Sequence, residues 1–180
     1  MQEDGEIRVA AVAGPPPEQE PALSDLRFAG QLALWALRQG RGLLAGDAAT
    51  RRLLAEALAV AEVPRALDPL ETFVRVVAAG ACRPVELRMP ATRRLGRDEA
   101  LILRALAACQ SGQADLAQGL LEAMLAPAAA RAGMAALSAV GQAFALQGLR
   151  LADTTCGRLR ALEPLFGRGP LTAPGLARLH

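Results

Sequence analysis

The chain has 180 residues, a net charge of +2, 52% hydrophobic residues and only 3% aromatic ones. That is one domain's worth of chain with a core of Leu, Ala and Val. It lacks the acidic, low-hydropathy balance of a disordered protein. Lysine, tyrosine and asparagine are absent and the only histidine is His180, which removes most of the usual bases and nucleophile partners of an enzyme.

The first 23 residues read as a tail. The first 25 residues hold Glu3, Asp4, Glu6, Glu18, Glu20 and Asp25 against Arg8 alone, and "GPPPEQEP" cannot propagate helix or sheet. Ile7 and Val9 in "EIRVA" alternate as in a short strand seeking a partner. An acidic start and an apolar run as short as "VAAVAG" do not make a signal peptide.

From Ser24 to Leu151 the chain predicts one helical domain. Ser24 is placed to cap a first helix over about 25–39, apolar on nearly all sides, with Trp35 in the core. Asp47 caps the second helix, which stops before Pro64. The third is predicted from "DPLE", with Asp68 as cap, Pro69 in the first turn and Glu71 reaching back. Gly96, with Glu99 three residues on, opens the fourth helix. The fifth presents Leu116, Leu120 and Met124 on one face, and Pro127 opens a sixth rich in Ala and Gly. Residues 152–180 read as a weakly structured end with room for one short helix. The expected fold is all-α: six helices in a single compact domain.

Two three-helix halves are suggested by Leu32, Leu34, Ala36 and Leu37, which recur at one offset as Leu101, Leu103, Ala105 and Leu106. Compositional coincidence in an Ala- and Leu-rich chain explains the same match.

Between the halves lies "ACRPVELRMPATRRLGRDEA". Val85, Leu87 and Met89 alternate with Glu86 and Arg88 between two prolines, which predicts a short extended segment near 84–90. It needs a partner for its backbone. The options are "EIRVA", the "LRL" at 149–151, the same segment of a second chain in a homodimer, or a simple connector laid on the body by Val85 and Leu87. Arg83, Arg88, Arg93, Arg94 and Arg97 lie here, at or before a helix N-terminus that favours anions. They are the candidate site for an acidic partner or an anion. Solvated arginines, some paired with Asp98 and Glu99, are the plainer explanation.

Other chemistry finds no support. Cys82, Cys109 and Cys156 form neither a disulfide framework nor a zinc motif. Cys109 follows Ile102 and Leu106 on one helical face and reads as a small apolar filler. Asp98 and Glu99 suit a first helical turn without any catalytic role. No metal or cofactor is expected. The fourth and fifth helices resemble a helix-turn-helix, but the fifth carries no cation, which argues against nucleic acid. No stretch is long enough to span a membrane, so a cytoplasmic setting is expected. The resulting expectation is a non-enzymatic adaptor or regulatory module with a protein partner. The alternative is a small-ligand-binding domain with an apolar cleft between its halves.

Overall fold

The computed structural model describes residues 21–151. Within them the protein is all-α. Six helices have nine or more residues: α1 (Phe28–Arg38), α3 (Ala48–Val60), α4 (Leu67–Gly80), α5 (Arg97–Gln110), α6 (Ala114–Glu122) and α7 (Pro127–Leu146). A five-residue turn of helix, α2 (Gly40–Leu44), follows α1. Two backbone bridges tie the ends of the connector between α4 and α5: Ala22 pairs with Arg94 and Ala81 with Leu125.

Local chemistry explains most of the boundaries. The Asp47 carboxylate accepts from the Ala49 and Thr50 amides and caps α3. At α5, Glu99 reaches back to the Gly96 amide as the spacing predicts. Pro127 starts α7. Three expectations need correction. Ser24 does not cap α1: it lies within a 3-10 turn, Leu23–Asp25, and the helix begins only at Phe28. Asp68 does not cap α4. A 3-10 turn at Pro64–Ala66 already leads the chain into helix, so Asp68 sits inside the first turn and its carboxylate meets Arg51. Trp35 is only half-buried, packed against the margin of the core rather than within it.

The core is built where the helical periodicity places it. Leu34, Leu37, Leu54, Leu58, Phe73, Ile102, Leu103, Leu106, Leu121 and Phe144 are fully buried, each worth about 1.5–3 kcal/mol relative to exposure. All eight positions of the suspected repeat are buried, which the shared helical period accounts for equally well. On α6 the buried side is Ala117 and Leu121, with Leu116 left exposed. The most extensive helix contact is between α4 and α7. Small residues permit it: Gly133 lies under the Phe73 ring, and a Cβ at Gly80 would overlap that of Ala129.

The predicted strand finds no strand partner among the described residues. "EIRVA" lies outside them, as do the expected C-terminal helix, Cys156 and His180. Residues 149–151 turn instead to α5, where the Gln110 side chain donates to Leu149 O and accepts from the Leu151 amide. The 149–151 option is therefore not taken, and among the described residues 84–89 run as a connector; "EIRVA" and a second chain lie outside what those residues test. Among the described residues, no helix is long and apolar enough to cross a membrane.

Replacing Gly80 with alanine tests the α4–α7 contact. Although alanine is the better helix former, the overlap with Ala129 should cost about 1–3 kcal/mol in urea unfolding. A neutral or stabilising result would show that the two helices can separate freely.

Candidate functional site

The connector is held by two adjacent carboxylates in the first turn of α5. Glu99 is completely buried and faces the equally buried Arg38 from the end of α1, with side-chain exposures of 0% and 1%. The pair is bidentate: Arg38 Nε to Oε1 and Nη2 to Oε2, both 2.8 Å. Oε1 also accepts from the Arg88 amide at 2.9 Å, and Oε2 from the Gly96 amide at 2.9 Å. Arg38 then donates to the carbonyls of Thr92 and Arg94. Four of the five Arg38 N–H groups are thus used, and each Glu99 oxygen accepts twice.

Asp98 repeats the device nearer the surface. It takes Arg83 in a two-point contact of 2.6 and 3.0 Å and the Glu86 amide at 2.9 Å. Burial pushes its carboxyl up. The hydrogen bonds from Arg83 and the Glu86 amide, with the charges of Arg83 and Arg97, outweigh that and hold it below its ordinary value of 3.8. The same hydrogen bond raises Arg83. The sequence places Asp98 and Glu99 correctly as helix-start acids. In the structure they also act as the backbone partners that the extended segment required.

The five candidate arginines do not converge. Arg83 is committed to Asp98 and, with Arg97, borders a shallow polar depression. Arg93 and Arg94 stand beside Ala22, Leu23 and Gln31, where the first described residues cross the connector. Arg88 lies over Gly96, whose Cβ would approach Arg88 Nε to 3.2 Å, and it also faces Glu86 at 3.8 Å. Only Arg83 and Arg88 reach the cleft described next.

That cleft, of about 380 Å³, lies between α1, α2, α4 and the connector. Its apolar walls include Leu37, Phe73, Val74, Val77 and Leu87, with Ile102 of α5 behind them. Arg38, Arg41, Arg83 and Arg88 are the charged groups lining it, and no carboxylate does. Arg41 is exposed and has no ion pair among the described residues. Two side chains at the rim, Leu44 and Met89, are 49% and 68% exposed although apolar.

Arg38, Arg41 and Leu44 were not singled out by the sequence, and Met89 only as part of the alternation in the extended segment. Arg38 had a signal: a lone charge ending an otherwise apolar helix must either break the core or find a buried counter-charge. Arg41 and Leu44 had none, because α2 is not separable from α1 by pattern.

Elsewhere, Cys109 is half-buried against the core, and burial pushes its thiol up despite a hydrogen bond with Ser138. Such a thiol packs rather than reacts. Cys82 is exposed. No group of three or more His, Cys, Asp or Glu gathers as a metal site among the described residues.

Comparison with family models, curated proteins and solved structures finds no match to this chain.

The Asp98 contacts make a pH prediction. Its folded pKa lies below the unfolded one, so its stabilising contribution is complete above about pH 4 and is lost as pH falls through the folded value. Asp98→Asn should therefore destabilise the protein at pH 7 and converge with wild type as the pH falls through the folded value. Equal slopes of unfolding midpoint against pH in the two proteins would contradict the assignment.

Proposed function

We propose that the protein is a non-enzymatic interaction module that takes an acidic segment of a partner protein into the cleft between α2, α4 and the connector. The observation that carries this is the lining. An apolar trough with no carboxylate in its lining, with Arg41 at its rim without an ion pair among the described residues and exposed Leu44 and Met89 at its mouth, suits a ligand combining apolar anchors with negative charge. Asp98 and Glu99 do not oppose such a ligand, since Arg83 and Arg38 neutralise them. Arg41 is the group assigned to meet the acid; Arg93, Arg94 and Arg97 do not line the cleft.

A second reading has its own support. A volume of about 380 Å³ is within the range of small-molecule pockets, so a fatty-acid-like anion would satisfy the same walls.

The test uses fluorescence anisotropy on the full chain. One probe is a labelled peptide alternating Glu with Val or Leu; the other is labelled dodecanoate. Ala78 is exposed and lines the cleft, so Ala78→Trp fills it without entering the core. The peptide should bind, weaken at least tenfold in Ala78→Trp, and weaken several-fold in Arg41→Gln and in high salt. Preference for dodecanoate favours the second reading. Failure of both probes, or binding indifferent to Ala78→Trp, contradicts both.

A further inference from the structure

We infer that the outer edge of residues 84–89 is a docking edge, and that the acidic partner segment adds to it as an extended strand. This rests on the proposed acidic-peptide reading and specifies how the peptide is held.

Along an extended chain, alternate amides point to opposite edges. The amides of Glu86 and Arg88 point to α5 and are taken by Asp98 and Glu99. Pro84 and Pro90, which have no N–H, fall on that same parity. The prolines therefore cost the opposite edge nothing. On that edge the N–H and C=O of Val85 and Leu87 have no partner among the described residues. A natural edge strand is commonly blunted by a proline or an inward charge. Here both blunting prolines lie on the side already closed by carboxylates.

The rest of the neighbourhood fits the same occupant. Val85, Leu87 and Met89 line the cleft, so a strand lying beside them has apolar wall for its alternate side chains. The side chains between would meet a rim that holds the exposed Arg41 and no acid among the lining residues. A positively bordered, apolar, hydrogen-bonding edge selects an extended peptide in which acidic and apolar residues alternate. A fatty-acid-like ligand would use the walls and the arginines but leave the backbone edge open. The connector is also held firmly enough to act as a template, because its other edge is fixed to a fully buried ion pair.

The experiment compares backbone-blocked peptides on the full chain. Two versions of the Glu/Val/Leu peptide carry N-methyl groups on alternate residues, one on each parity. Strand addition predicts that one version loses at least thirtyfold in affinity while the other binds nearly as the parent does. The amide resonances of Val85 and Leu87 should shift on binding, and those of Glu86 and Arg88 should stay. Equal binding by parent and both N-methyl versions would overturn the edge inference while leaving the acidic-peptide reading intact; a parent peptide that does not bind overturns both. Two controls address other occupants. Slow exchange of the Val85 and Leu87 amides in the free chain, abolished by Ile7→Asp with Val9→Asp, would assign the edge to the chain's own first residues. Slow exchange that depends on protein concentration would assign it to a second copy. Either result would overturn occupation by a partner segment.

Discussion

The buried Arg38–Glu99 pair is the constraint from which the connector's geometry follows. Two charges removed from water cost several kcal/mol each unless their donors and lone pairs find partners, and four of the five Arg38 N–H groups and both Glu99 oxygens do. Here they are used on three parts of the chain: the end of α1, the start of α5, and the connector at Arg88, Thr92 and Arg94. A hydrophobic pair would fill the same space. It would not dictate where a proline-bracketed segment with no strand partner must lie.

The consequence is a connector with two unlike edges. The inner edge uses side-chain carboxylates where a sheet would use a neighbouring strand. Asp98 and Glu99 are adjacent in sequence, and they receive the amides of Glu86 and Arg88, two residues apart. Among the described residues the outer edge keeps its hydrogen-bonding groups unpaired at Val85 and Leu87, beside an apolar cleft. The proposed function belongs to the edge left open among the described residues rather than to the acids and arginines that folding consumes.

Much of the fold was legible because one signal dominates the sequence. Leu and Ala at helical spacing mark the helices, and Asp47 and Gly96 mark two helix starts correctly. Asp68 misled for a specific reason: the full capping-box pattern is present, but the 3-10 turn at Pro64–Ala66 already satisfies the entry into α4 and frees Asp68 for Arg51. The connector was legible as extended and as arginine-rich. Its partners were not, since acids at the first turn of a helix are equally favoured by the macrodipole alone. An apolar cleft between the halves was an expectation of the sequence, but its lining could not be read. Arg41, Leu44, Ala78 and Met89 come from α2, α4 and the connector, and nothing in their spacing announces that they meet.

The most direct test of the central claim is the stability of Glu99→Gln, measured by urea unfolding with amide exchange followed at Arg88. Neutralising Glu99 leaves the Arg38 charge buried without its counter-ion, so the account predicts a loss of about 3–5 kcal/mol and rapid exchange at the Arg88 amide. A loss below about 0.5 kcal/mol, the scale of an exposed pair, with Arg88 still protected, would contradict it.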